Sequence, residues 1–293
     1  MRRDSAYGVT LAMSESLPAL PSVPPHPLPL DAEALAELER AVRLLEEDRF
    51  TTRVASLLGR AAGGGAQWTR RFVPASALPT PALSLAQDAA ASALQAALAA
   101  ATWRVGRGKR HAPQWVRTAS VAVTGAAGGA AGLPGTIVEL PATTALLLRE
   151  IARIAAEQGE DLGTEEGKAE CLAVFAFGGP VGDGGYYAAR LALAEVIGGA
   201  AGFALSDAMP RVLATIAARF GVPVAWKVAG QAVPLAGAAA GVAVNTLFMQ
   251  HFRARARGHF TVRRLERRHG VEAVRAAYAE IRARLGEAAA ATP

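Results

Sequence analysis

Residues 228–252 read VAGQAVPLAGAAAGVAVNTLFMQHF, and these 25 residues contain no acidic side chain, lysine or arginine. Alanine and glycine dominate the stretch, and Gly237 and Gly241 are four residues apart, so they share one face of a helix. Small residues at this spacing let two helix backbones approach closely, either in lipid or in a tight protein core. The stretch therefore predicts a closely packed central helix, with or without membrane contact.

The composition of the whole chain also favours helices. The sequence is 52% hydrophobic and 6% aromatic, is rich in alanine, and has few of the β-branched and aromatic residues that strands prefer. We predict an all-α protein with a single compact helical domain over residues 31–287 and Gly/Ala-rich central helices. A disordered proline-rich arm at residues 1–30 and a disordered tail at residues 288–293 flank this domain.

Local signals predict several helix ends. Asp31 precedes an apolar residue pattern with helical spacing and is expected to cap the first helix. Pro141 is expected to open a second strongly periodic helix, because proline is favoured in the first turn. Thr164 followed by two glutamates is typical of another helix start. Gly270 predicts a break in the basic C-terminal part of the chain.

Two uncharged stretches have the length of a membrane span, residues 118–138 and residues 228–252. Their alanines and glycines add little insertion energy, and Pro134 and Pro234 interrupt them. Either a buried helical core or membrane contact agrees with this pattern. No long apolar segment follows Arg2 and Arg3, so we expect a cytoplasmic protein, peripheral or partly inserted at the inner membrane.

The net charge of +6 comes from the C-terminal end of the chain. Residues 251–293 hold ten arginines and four acidic residues, whereas the first 250 residues are balanced. Arginines that directly follow an apolar stretch suit an anionic membrane surface, and nucleic-acid binding by the same cluster is a less favoured alternative. The candidate residues for this surface are Arg253, Arg255, Arg257, Arg263 and Arg264.

Four polar residues stand inside apolar stretches and require partners when buried. Lys227 and Gln231 are four residues apart and share one helix face, and Asn245 follows in the next segment. Glu195 is the expected counter-ion for Lys227 if the segments pack together. These four residues are candidates for an internal polar cluster or, alternatively, a ligand site.

Sequence motifs for known chemistry are scarce. The glycine loop at residues 178–185 does not fit G-x-G-x-x-G, and neither G-x-S-x-G nor H-E-x-x-H occurs. Cys171 is the single cysteine, which rules out an internal disulfide and a thiolate metal site. We expect no cofactor and no metal. A hydrolase that uses Glu160, Asp161 and His259 in an apolar pocket is the enzymatic alternative.

Four segments resemble the EcsC family of bacterial proteins. They are LPATTALLLREIARIAAEQGEDL (140–162), ECLAVFAFGG (170–179), GYYAARLAL (185–193) and KVAGQAVPLAGAAAGVAVNTLFMQHFRARARGHFTVRRLERRHG (227–270). The resemblance covers about residues 35–285, and the last segment is the most specific. It implies no known activity, cofactor or catalytic residue, and it suggests association with an ABC transporter.

Together these observations predict a non-catalytic factor that is cytoplasmic or membrane-associated. It is expected to bind a lipid or another apolar ligand near a transporter. The hydrolase and the nucleic-acid-binding protein are the two alternatives.

Overall fold

The structure is a computed structural model, and it describes residues 29–47, 49–61, 80–100, 132–179, 185–198, 205–231 and 237–290. All regular elements in these ranges are helices, which confirms the prediction of an all-α fold. In chain order they are α1 (Ala32–Glu46), α2 (Arg49–Ala61), α3 (Thr80–Ala100), α4 (Gly132–Glu157), α5 (Glu165–Ala176), α6 (Gly185–Gly198), α7 (Leu205–Gln231), α8 (Gly237–His269) and α9 (Val271–Ala290).

The helix ends that depend on local chemistry lie where the sequence predicts them. Asp31 Oδ1 accepts a hydrogen bond from the Ala34 amide at 2.8 Å and caps α1. Thr164 Oγ1 accepts from the Gly167 amide at 3.1 Å and caps α5. Gly270 separates α8 from α9 with a φ of 86°, a conformation that glycine adopts without strain.

One predicted helix boundary is wrong. Pro141 does not open a helix but lies inside α4, which begins at Gly132. A proline inside a helix removes one backbone hydrogen bond, and the packing of α4 against α3, α5, α7 and α8 compensates for that loss. At the other end of the chain, α9 continues to Ala290, three residues beyond the predicted domain end. In the proposed arm, the Pro29 carbonyl oxygen lies 3.1 Å from His269 Nδ1 of α8, and Leu30 packs against the core. Residues 1–28 lie outside the described residues.

Helices α7 and α8 form the centre of the fold. Helix α8 contacts α1, α2, α4, α5, α7 and α9, and its Phe248, Phe252 and Phe260 are fully buried. Phe248 and Phe252 pack against Phe220 of α7, with ring centroids 6.0 and 5.4 Å apart. The aromatic side chains of residues 228–252 therefore form core rather than surface.

The two uncharged stretches are divided by the fold. Residues 228–231 end α7 and residues 237–252 begin α8, whereas residues 232–236 lie outside the described residues. Residues 118–131 are also outside them, and residues 132–138 form the start of α4. None of the helices in the described ranges combines the length and the hydropathy that a membrane span requires.

Gly258 allows the close approach of α1 and α8. A Cβ at this position would lie 2.7 Å from Leu45 Cγ and 3.1 Å from the Ala41 carbonyl oxygen, both in α1. These distances are too short for the packed core to accommodate without a shift. In contrast, a Cβ at Gly286 of α9 would meet no atom within 4 Å.

The substitution Gly258→Ala is therefore expected to destabilise the protein, with Gly286→Ala as its control. Overpacking costs about 1–3 kcal/mol, which exceeds the helix-propensity gain of under about 1 kcal/mol. Gly286→Ala should show that gain alone. Urea unfolding of the two variants measures the difference, and a Gly258→Ala protein as stable as the wild type would contradict the close α1–α8 contact.

Candidate functional site

Two of the seven arginines of α8 are buried and two more are partly buried. Arg253 and Arg255 are only 5% and 1% exposed, so the interpretation of these two residues as a membrane or anion surface is wrong. Arg263 and Arg264 are partly buried and hold carboxylates of other helices. Arg257 is exposed, and its role at an anionic surface stays a prediction.

Arg253 belongs to a buried cluster with two residues of α4. Its Nε donates to Glu150 Oε1 at 2.8 Å, and the same carboxylate receives Arg153 Nη2 at 2.9 Å. Glu150 and Arg153 are 4% and 9% exposed. An arginine buried without a counter-charge would be strongly destabilising, so this cluster links α4 and α8.

Arg255 binds the C-terminal end of α1. Its Nη1 donates to the Leu44 carbonyl at 3.1 Å and also to the Leu45 carbonyl. The last carbonyls of a helix lack intrahelical partners and form its negative end. Arg255 therefore acts as a cap that α8 supplies to α1.

Arg263 forms ion pairs with three carboxylates of the α4–α5 junction and of α5. Its guanidinium lies 2.9 Å from Glu160 Oε1, 3.0 Å from Glu166 Oε1 and 2.6 Å from Glu170 Oε1. These three acids compensate the charge of Arg263, and Glu160 also pairs with Arg267. Arg264 similarly lies 2.8 Å from Glu37 Oε2 of α1.

Lys227 and Asn245 converge in the core, but their common partner is Glu139. Lys227 Nζ lies 3.1 Å from Glu139 Oε2, and Asn245 Nδ2 donates to Glu139 Oε1 at 2.8 Å. Thr143 also donates to this carboxylate. Glu195 is exposed, so its predicted pairing with Lys227 is wrong. The Gln231 side chain lies outside the described residues.

The charges of this cluster depend on one another. Burial alone would raise the pKa of Glu139, but Lys227 and the hydrogen bonds from Thr143 and Asn245 outweigh it and lower the pKa. Burial lowers the pKa of Lys227, although Glu139 opposes that effect. Since Lys227 and Asn245 are fully buried, the cluster acts as a polar link between α4, α7 and α8.

His259 is also fully buried, and its ring joins α8 to α5 and α6. Its Nδ1 forms a hydrogen bond with the Tyr186 hydroxyl at 2.7 Å, and its Nε2 lies 2.9 Å from Glu170 Oε2. Burial lowers the pKa of His259, with Glu170 acting in the opposite direction. Burial also tends to raise the pKa of Glu170, but His259, Arg263 and Arg190 outweigh it and lower the pKa to about 2.

The positions of Glu160, Asp161 and His259 differ from those expected for a hydrolase. Glu160 pairs with Arg263 and Arg267, and Asp161 is exposed and accepts from the Gly163 amide at 2.9 Å. His259 faces Glu170 instead of either acid. The expectation that Glu160, Asp161 and His259 converge around one cleft is therefore wrong.

A cleft of about 620 Å³ opens beside Glu170, and we call it the α5/α6 cleft. Its walls come from α5, α6 and the first turns of α9. Leu191 and Val271 line it with 56% and 53% of their surface exposed. Further apolar lining comes from Ala169, Ala173, Leu193 and Ala194. Polar groups at the cleft include Glu170, Tyr187, Arg190 and Arg275.

The model of the EcsC protein family matches residues 109–265, which is more than half of the chain. The chain belongs to the EcsC protein family. No curated protein and no solved structure matches it. In this EcsC protein the match ends at Leu265 of α8, so α9, with Val271 and Arg275 of the cleft, lies beyond the matched residues.

The acids that pair with Lys227, Arg253 and Arg263 were not predicted from the sequence. Glu139 directly follows an uncharged stretch, and Glu150 interrupts the apolar pattern of α4, so both carried a weak signal of burial. Glu170 lies in a group of six acids around the α4–α5 junction and had no distinguishing feature. Among the described residues, no group of three or more His, Cys, Asp or Glu side chains is arranged to bind a metal ion.

Replacing Glu139 is expected to be far more damaging than replacing Glu195. Glu139→Gln leaves Lys227 buried without its counter-charge, a loss of about 3–5 kcal/mol. Glu195→Gln changes an exposed residue and should stay within about 0.5 kcal/mol of the wild type. Urea unfolding at neutral pH measures both, and equal stabilities of the two variants would refute the assigned pairing.

His251 is expected to make stability depend on pH. Its Nε2 donates to the Gly178 carbonyl at 2.8 Å, and burial followed by the charge of Arg255 lowers its pKa from 6.5 to about 3. The unfolded chain therefore takes up a proton below pH 6.5 that the folded protein does not, so stability falls as the pH decreases. One such group contributes about 1 kcal/mol between pH 6 and pH 5.

The variant His251→Gln keeps a side-chain N–H donor and removes this titration. Urea unfolding at pH 7, 6 and 5 should give a shallower loss of stability for the variant than for the wild type. Parallel curves over that range would exclude His251 as a source of the pH dependence.

Proposed function

We propose that this EcsC protein is a non-catalytic factor that binds an apolar ligand, such as a lipid chain, in the α5/α6 cleft. The observation that carries the proposal is the exposure of Leu191 and Val271 on its walls. Apolar surface in contact with water is unfavourable by about 25 cal/mol per Å². A bound hydrocarbon chain would remove both side chains from water.

The size and shape of the cleft support this proposal. A volume of about 620 Å³ lies within the range of about 300–1,000 Å³ that is usual for ligand pockets. Ala169, Ala173 and Ala194 contribute small side chains, which leave room between α5 and α6. Seven apolar residues and six polar or charged residues line the cleft, a mixture that suits an amphiphilic ligand.

The polar groups of the cleft favour binding over acid–base catalysis. Glu170 lies between Arg263 and His259, and a pKa of about 2 keeps it ionised near neutral pH. A general acid or base works best with a pKa near the working pH. Arg190 is likewise held by Glu266, at 2.7 Å.

The sequence supports a proposal for the cellular setting. We propose a cytoplasmic protein at the inner face of a membrane, where the bilayer supplies the ligand and the exposed Arg257 meets an anionic surface. Association with an ABC transporter stays a prediction from the family resemblance.

The substitution Leu191→Glu tests the cleft directly, and Leu85→Glu of α3 is its matched control. Both leucines are 56% exposed and lie in helices, but Leu85 is not among the residues that line the α5/α6 cleft. A charge on the cleft wall should weaken binding of a fluorescent fatty acid at least tenfold, because a buried leucine contributes about 1.5–3 kcal/mol.

The fluorescence titration of Leu85→Glu should match that of the wild type. The proposal is wrong if the wild type shows no saturable binding, or if the two variants lose affinity equally.

A further inference from the structure

Arg275 stands apart from the other charged groups that line the α5/α6 cleft. We infer that it binds the head group of the ligand and that this head group is an anionic carboxylate or phosphate. The inference rests on the proposed function, because it names the chemical class of the ligand in the same cleft.

The acids that line the cleft already have cations beside them. Glu165 lies 2.6 Å from Lys168 Nζ, and Glu166 and Glu170 lie 3.0 and 2.6 Å from the Arg263 guanidinium. A cationic head group would therefore share a carboxylate with Lys168 or Arg263, which lowers the net charge that it meets and the affinity that it gains.

The two arginines that line the cleft are not equivalent. Arg190 lies 2.7 Å from Glu266 Oε1 and is only about one-fifth exposed, so its charge is already compensated. Arg275 is exposed, and the ion pairs found among the described residues do not include it. An anionic head group would gain an ion pair with Arg275 and would break none.

The position of Arg275 on α9 fits an amphiphile. Val271 and Arg275 are four residues apart, so they lie on one helix face about one turn from each other. A ligand whose chain contacts Val271 and Leu191 would thus have its head group within reach of the guanidinium. Arginine binds carboxylates and phosphates with two parallel hydrogen bonds, which favours these anions over other polar groups.

Arg275 also borders a second cleft. That cleft, of about 840 Å³, lies between α1, α6 and α9, and both Arg275 and Tyr187 line it as well as the α5/α6 cleft. Arg275 is therefore accessible to water from both clefts. An anionic head group can bind there without losing all of its hydration, whereas the hydrocarbon chain enters the apolar cleft.

A set of amphiphiles with the same chain and different head groups tests the inference. Palmitate, hexadecyl phosphate, hexadecanol and hexadecylammonium compete, below their micelle concentrations, with a bound fluorescent probe on the full-length protein. The wild type should bind the better of the two anions about tenfold more tightly than hexadecanol, and hexadecylammonium no better than hexadecanol. The tighter of the two anions identifies the head group.

Three variants assign the effect to Arg275. Arg275→Gln should remove the preference for the anion, and Arg275→Glu should favour hexadecylammonium. Arg284→Gln is the control, because Arg284 is an exposed arginine of the same helix that lies outside both linings. Equal urea midpoints of the variants and the wild type show that folding is unchanged, as expected for exposed side chains.

Two results would overturn the inference while leaving the proposed function intact. One is equal affinity of the wild type for the anions and hexadecanol, and the other is an equal effect of Arg275→Gln and Arg284→Gln. If none of the four amphiphiles binds to the wild type, the proposed function fails together with the inference.

Discussion

The fold depends on the need to neutralise the positive charges that α8 carries through the protein interior. A buried guanidinium without a partner costs several kcal/mol, so neighbouring helices must supply acceptors at defined positions. Glu150 of α4 faces Arg253, the end of α1 faces Arg255, and the α4–α5 junction faces Arg263. These three contacts fix how α1, α4 and α5 pack around α8.

The need to pair the arginines of α8 also changes how the net charge of the chain is interpreted. The surplus of arginine in residues 251–293 suggested a basic surface, but acids from the earlier helices turn inward to meet Arg253 and Arg263. The balanced first 250 residues thus supply counter-charges for the C-terminal helix. Because much of the charge of α8 is compensated inside the protein, the candidate binding site lies instead at the α5/α6 cleft and at Arg275 of α9.

The sequence predicts those features that depend on near neighbours. Asp31 and Thr164 cap their helices through amides three residues away, and Gly270 turns the chain by its own conformation. The convergence of Lys227 and Asn245 was also predictable, because buried polar groups require partners. Which acid pairs with Lys227 was not, since Glu139 is 88 residues away and only the packing of α4 on α7 selects it over Glu195. The cleft gave no signal, because Leu191 and Val271 resemble core residues in a sequence pattern.

A double-mutant cycle on Glu150 and Arg253 tests the central claim that buried ion pairs hold the bundle around α8. The free energies of unfolding of Glu150→Gln, Arg253→Met and the double variant give the coupling energy. The structure predicts a coupling above about 1 kcal/mol that changes little between 0.1 M and 1 M salt, because a buried pair is weakly screened. Additivity within about 0.5 kcal/mol, or a coupling that disappears in high salt, would contradict the account.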